Sequence, residues 1–215
     1  MTHPRLARIA AATCILCSTI VCGCGTTAPS RFYTLHPLSG PAPPARETSG
    51  QSRYTVGVGP VEIPDFLERP NIVTRKGENE LEMAEYDRWA GSLKQDIARV
   101  LIQDLSGMLP PGTTVVPWKR SIPLDYRVAV EVVRLDVAPD REVLLRCQWA
   151  VYGRNPKVPL AVRTGTFIEQ LAGNDYGAAV TGIGQAVAKL GGAVATDIGN
   201  AATADRLQAA PVKER

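Results

Sequence analysis

The sequence predicts an α+β fold: a mixed, largely antiparallel sheet with two main helices packed on one face. Three observations carry that prediction. Between Arg88 and Met108, the residues Trp89, Leu93, Ile97, Val100, Leu101, Leu105 and Met108 recur at steps of three and four, as on the apolar stripe of a helix. Three β-prone runs follow at Asp125–Ala138, Glu142–Arg154 and Leu160–Leu171, the first two joined at Pro139-Asp140-Arg141. A second helical stripe, Tyr176, Val180, Ile183, Val187, Leu190, Val194 and Ile198, then spans Asp175–Asn200.

The smaller elements fill in around these. Arg31-Phe32-Tyr33-Thr34-Leu35 is a β-prone pentad, and the proline-rich stretch 37–52 excludes regular structure. Tyr54–Val61 reads as a strand ending at Pro60, because proline cannot donate to a ladder. Asn71–Arg75 and Glu80–Ala84 flank Lys76-Gly77-Glu78-Asn79, a hairpin turn. The Pro110-Pro111-Gly112 cluster stops the first helix, and Thr113–Trp118 is a short strand. Val128, Val130 and Val132 share one parity while Leu135 and Val137 take the other, which places a bulge near Val133. The last helix carries Gly177, Gly182, Gly184, Gly191 and Gly192. Interior glycines cost up to about 1 kcal/mol each against alanine, so close packing must offset them. The tail 201–215 reads as flexible.

The N-terminus reads as an export signal. Met1–Arg8 is basic and free of acids, and Ile9–Val21 is thirteen uncharged, mostly apolar residues. That is a signal core, shorter than the ~20 residues that span a bilayer. Val21-Cys22-Gly23-Cys24 ends it with a small residue before a thiol, the arrangement of a lipoprotein processing site. Residues 1–23 are then a lipoprotein signal peptide, Cys24 the lipidated residue, 24–30 a spacer and 31–200 a single domain. An ordinary secretory signal with incidental cysteines is the competing reading. No later apolar stretch reads as approaching membrane-spanning length.

Processing leaves 192 residues and lowers the formal charge from +3 to +1. That balance gives no support for nucleic-acid binding. Only Cys24 and Cys147 remain, so an acylated Cys24 leaves no disulfide partner. Cys147, in an alternating apolar run, reads as a small buried hydrophobe, with a reactive thiol as the alternative.

The most distinctive segment runs from Val58 to Arg75 and includes Pro64-Asp65-Phe66-Leu67-Glu68-Arg69-Pro70. Pro60, Pro64 and Pro70 fix φ and remove donors, which predicts a rigid, shaped loop. Phe66 and Leu67 form an apolar knuckle that either meets a partner or plugs the sheet edge. Arg69 and Arg75, with Glu62, Glu68 and Glu85, are candidates for an ion-pair network. Trp89 opens the first helical stripe, a core position or an interface anchor. Phe66, Leu67, Arg69, Pro70, Arg75 and Trp89 are therefore the candidate interface or structural residues.

This segment, with Phe32-Tyr33-Thr34-Leu35 after the processing site, Glu85-Tyr86-Asp87-Arg88-Trp89-Ala90, Asp125-Tyr126-Arg127-Val128 and Asn174-Asp175-Tyr176, resembles the PqiC family. These are auxiliary lipoproteins of ABC-type or MCE transport systems. The proline-rich insert and the glycine-rich last helix are this chain's own features. The resemblance implies a lipid anchor in the inner leaflet of the outer membrane, on its periplasmic face. It also implies a ring-shaped homo-oligomer, a periplasmic MCE-domain partner, and phospholipid as the transported molecule. The expected role is thus an accessory in intermembrane lipid transport that supports envelope integrity. The alternative is a scaffolding lipoprotein of another envelope complex, without lipid handling.

No catalytic constellation stands out. The processed chain keeps one histidine, His36, and shows no G-x-S-x-G turn or H-E-x-x-H helix. Cys14-Ile15-Leu16-Cys17 has redox spacing but lies inside the signal. No enzyme activity, cofactor or metal is expected.

Overall fold

Among the described residues the chain forms β1 (Arg31–Tyr33), β2 (Thr55–Glu62), β3 (Asn71–Arg75) and β4 (Leu81–Trp89) before the helix α1 (Leu93–Met108). It continues through β5 (Thr114–Pro117), β6 (Tyr126–Ala138), β7 (Glu142–Tyr152) and β8 (Pro159–Gln170) to α2 (Tyr176–Ala209). The computed structural model describes residues 28–38, 54–119, 121–138 and 142–209. Cys24, most of the 37–52 stretch and residues 210–215 lie outside them. One compact unit begins at Arg31.

The α+β class and the two helices are as the pattern predicts, but the strands divide into two sheets. The larger has the order β5-β2-β6-β7-β8, the smaller β1-β4-β3. β2 runs parallel to both β5 and β6, which occupy its two sides. The β3–β4 hairpin therefore cannot join there and takes β1 as its third strand. The long strands β6, β7 and β8 form an antiparallel meander.

Both helices cover one face of the five-stranded sheet, α1 over β2 and β5, α2 over β7 and β8. Val128, Val130 and Val132 of β6 and Val143, Leu145, Cys147, Trp149 and Val151 of β7 fill the layer between. The ladder shifts between Val132 and Arg134, where the parity change predicted a bulge. Val133 is left 51% exposed, while Leu135 and Val137 return to the core.

Several boundaries differ from the sequence reading, and three of the shifts have a local cause. β2 continues past Pro60 to Glu62, because the ladder to β6 shifts between Val58 and Val61 and asks no donor of Pro60. α1 begins at Leu93, not Arg88: Trp89 closes β4, its N–H donating to the Pro70 carbonyl at 2.7 Å. Ser92, on extended backbone, then accepts from the Gln95 N–H at 3.4 Å and starts the helix. α2 runs nine residues past Asn200, with Ala202 still packed in the core.

α2 is also long and apolar enough to cross a membrane, contrary to the reading of the sequence. With 61% of its apolar window buried, it has the character of a core helix. Its glycines explain part of that burial. A Cβ at Gly182 would stand 2.3 Å from Leu171 and 3.1 Å from Val143, so the helix approaches the sheet where glycine allows. Gly191 faces Leu101, Asp104 and Met108 of α1 at 3.6–3.8 Å. Gly192 and Gly199 have nothing within 4 Å and need no such closeness.

Candidate functional site

The proline-framed segment leaves β2 as a short, braced turn. Pro64 is extended (φ −56°, ψ 139°), and Asp65–Leu67 form one 3₁₀ turn closed by Leu67 N–H to the Pro64 carbonyl at 2.9 Å. That turn separates the two apolar residues of the knuckle. Leu67 enters the core at 4% exposure, and Phe66 packs half-buried at its margin. Glu68, Arg69 and Pro70 remain on the surface.

Four braces hold this surface. Lys94, in the first turn of α1, pairs with Glu62 on one side of the turn and lies 3.6 Å from Glu68 on the other. The Arg69 guanidinium sits 3.0 Å from the Met83 sulfur of β4. Trp89, 5% exposed, ties its backbone to Pro70. The Asn71 amide donates to the Ala84 carbonyl at 2.7 Å, where the β3–β4 ladder is irregular. The loop is thus fixed before any partner arrives.

The ion pairs differ from the expected network. Glu62 and Glu68 turn to Lys94, and Arg75 reaches across to Asp136 of β6. The reason is geometric: Arg75 ends β3, which packs beside β6. Asp136 is 3% exposed and also pairs with Arg134. Burial opposes its ionisation, but the guanidinium groups of Arg75 and Arg134 outweigh burial and hold its carboxyl below the usual range. An open cleft of about 500 Å³ borders Arg75, between the β3–β4 hairpin and the start of α2.

The remaining motif residues form joints between distant segments. The Tyr33 hydroxyl donates to Asp87 at 2.7 Å and the Arg31 Nε lies 2.8 Å from it, which fastens β1 to β4. Asp125 accepts from the Thr55 N–H at 2.9 Å and pairs with Arg154 at 2.8 Å. The Tyr126 hydroxyl donates to Asp205 of α2 at 2.6 Å. Asp175 accepts from the Ala178 N–H at 2.7 Å and caps α2. By sequence Asp136 reads as a carboxylate on a solvated strand edge and Lys94 as a polar helix position. Asp136 is instead buried and both are paired, since nothing local marks a strand aspartate or a helix lysine as the partner of a residue tens of positions away.

Cys147 is fully buried, and burial pushes its thiol up to about 12, so it packs as an apolar side chain rather than reacting. Asp96, in the first turn of α1, accepts from the Leu35 N–H at 3.0 Å and pairs with Arg99 at 2.7 Å. Burial opposes its charge, but Arg99 and the Leu35 N–H keep its carboxyl below the usual range. Among the described residues, no group of histidine, cysteine and carboxylate side chains is arranged to hold a metal ion.

The fold has solved counterparts. A crystal structure of an uncharacterized protein superposes with a TM-score of 0.66 at 19% identity, covering 80% of this chain and 99% of that one. Protein XCC0632 from Xanthomonas campestris gives 0.62 at 15% identity, with 81% and 99% covered. At such identities the likeness concerns the fold. A comparison with curated proteins returned no match. Residues 33–195 match the family described as the ABC-type transport auxiliary lipoprotein component, a span that contains the braced turn and, apart from Arg31 and Asp205, the residues of the joints above. The chain belongs to that family of transport auxiliary lipoproteins.

Proposed function

We propose that this protein is the lipid-anchored accessory of an MCE-type system that moves phospholipid between the two membranes of the envelope. Cys24 carries the anchor, in the inner leaflet of the outer membrane, so the domain stands on the periplasmic face. The copies act as a homo-oligomer and meet a periplasmic MCE-domain protein. Family membership over residues 33–195 is the observation that carries this reading. Two further features support it. Glycine follows Cys24, where many inner-membrane lipoproteins have aspartate. The surface formed by Glu68, Arg69 and Pro70 is rigid, which lowers the entropy lost when a partner is bound.

The chemistry fits transfer by assembly rather than by reaction. The family is described as a transport auxiliary lipoprotein component, and the polar clusters of the domain hold its strands and helices together. Capture from solubilised envelope tests the reading. The expected result is co-purification of an MCE-domain protein with acyl-labelled full-length chain, and loss of the label in Cys24→Ser. Capture of an unrelated envelope complex, with no MCE-domain protein, would overturn it.

A further inference from the structure

The small sheet β1-β4-β3 has one covered face and one open face. Tyr33, Asp87 and Trp89 point to the covered side, where Trp89 joins the core and the Tyr33 hydroxyl donates to Asp87. Glu82 points the same way and lines the cleft beside Tyr176, at the start of α2. Neighbouring residues along a strand take opposite faces. Phe32 and Arg88, which pair across β1 and β4, therefore look outward, and so does Met83, next to Glu82. Met83 and Arg88 share that face despite their odd spacing because the β3–β4 ladder is irregular between them. There β4 advances from Met83 to Arg88 while β3 covers only Asn71 to Val73.

The open face combines apolar and cationic groups. Phe32 is 65% exposed and Met83 54%. The Arg69 guanidinium borders them through the Met83 sulfur. Arg88 is half-buried, with Nε shielded from solvent, and its side chain makes neither a hydrogen bond nor an ion pair with another described residue. Arg75, on the neighbouring strand, by contrast holds Asp136. A partly desolvated guanidinium without an acid is costly unless an anion reaches it from outside the domain.

Chain length says which occupant is in reach. Arg31, the first residue of β1, follows Cys24 by seven residues. Fully extended, such a segment spans at most about 25 Å, so an anchor on Cys24 keeps β1 within that distance of its leaflet. We infer that the open face of the small sheet lies on this phospholipid leaflet, with Phe32 and Met83 at the acyl–headgroup boundary and Arg88 on a lipid phosphate. Exposed apolar patches rimmed by polar groups mark such contacts, and arginine suits phosphate as a bidentate donor. An anchor alone leaves the domain free to tumble, whereas this second contact fixes which way it faces. A ring, whose copies all turn the same face to one side, repeats the contact once per copy. The inference rests on the Cys24 anchor of the proposed function.

The test uses acylated full-length protein in vesicles of phosphatidylethanolamine and phosphatidylglycerol. Phe32→Cys, Met83→Cys and Val158→Cys each carry a thiol-reactive fluorophore, while the buried Cys147 stays unlabelled. Val158 is nearly as exposed as Phe32 but stands with Ala202 and Asp205 by the far end of α2, so it is the control. With nitroxide-bearing lipid in the vesicles, probes at Phe32 and Met83 should be quenched several-fold more than the probe at Val158. Phe32→Asp should bring quenching at Met83→Cys down to the control level at an unchanged melting temperature, and Arg88→Gln should lower it part of the way. Equal quenching at all three positions, or quenching at Met83→Cys that Phe32→Asp leaves unchanged, would overturn the inference. So would unquenched probes together with loss of MCE-partner capture by Phe32→Asp in detergent, which would give this face to the protein partner. Absence of acyl label on Cys24 would remove the anchor and this contact with it, whereas an acylated chain with unquenched probes counts against the contact alone.

Discussion

Arg75 of β3 and Asp136 of β6 form a two-pronged ion pair across 61 residues of sequence. Arg75 Nη2 donates to Oδ1 at 2.9 Å, and Nε stands 2.8 Å from Oδ2. The same guanidinium donates to the Glu78 carbonyl at 2.8 Å, within the hairpin turn. One side chain thus orders the β3–β4 turn and fastens the small sheet to the large one. Removing Arg75 leaves the buried Asp136 with Arg134 as a partner, whereas replacing both members of a buried pair with apolar groups often costs little. Arg75→Ala should lower stability by about 1.5–3 kcal/mol, and Arg75→Met with Asp136→Leu by less than about 1 kcal/mol. Denaturant unfolding of both variants checks this.

The same aspartate sets an acid limit. Its folded pKa lies below that of the unfolded chain, so the unfolded state takes up the proton first as pH falls. The stabilisation is complete above the ordinary aspartate range, near pH 4, and is lost as pH falls through the folded value. Asp96 acts in the same direction. Unfolding midpoints should hold steady from neutral pH to about 5 and decline below about 4. Asp136→Asn should be less stable at neutral pH and decline less steeply in acid.

The glycines of α2 divide into two groups. Gly192→Ala and Gly199→Ala meet open space and should stabilise the protein by about 0.5–1 kcal/mol through helix propensity. Gly182→Val forces a branched side chain towards Leu171 and Val143 and should cost about 1–3 kcal/mol. Thermal melts of the three variants separate packing from propensity.

The knuckle now yields a sharper mutational test than its sequence suggested. Leu67 is core, so Leu67→Asp buries a charge and should destabilise by more than about 3 kcal/mol, reporting on folding alone. Arg69 is exposed, and Arg69→Glu should change stability by less than about 0.5 kcal/mol. If this surface docks the partner, Arg69→Glu will reduce capture of the MCE-domain protein while melting stays unchanged. Normal capture by this variant would move the interface elsewhere.

The first helix supplies a control for the core. Ile97 is 1% exposed beneath α1, and Ile97→Ala should cost about 2–5 kcal/mol through loss of packing and the cavity left behind. A loss under half of that range would mean the layer between α1 and the sheet collapses around the change.

Periodicity alone determined the two helical stripes, the long antiparallel strands and the bulge beside Val132. These follow from local rules: a period of 3.6 or 2 is repeated along one segment, and a parity change marks one extra residue. The family motifs were legible too, because they are contiguous runs of distinctive residues. Tertiary structure decided what depends on partners far along the chain. It assigned Trp89 to a strand instead of a helix, because an apolar residue just before a cap fits either pattern until Pro70 claims its N–H. It sent Arg75 to Asp136 rather than to a nearby glutamate, because strand packing sets which charges can meet. It divided the strands into two sheets, because pairing is a competition for edges and β5 and β6 had already taken both sides of β2. It buried Leu67 and left Arg69 exposed two residues later, since a single 3₁₀ turn rotates successive side chains from the core to the solvent.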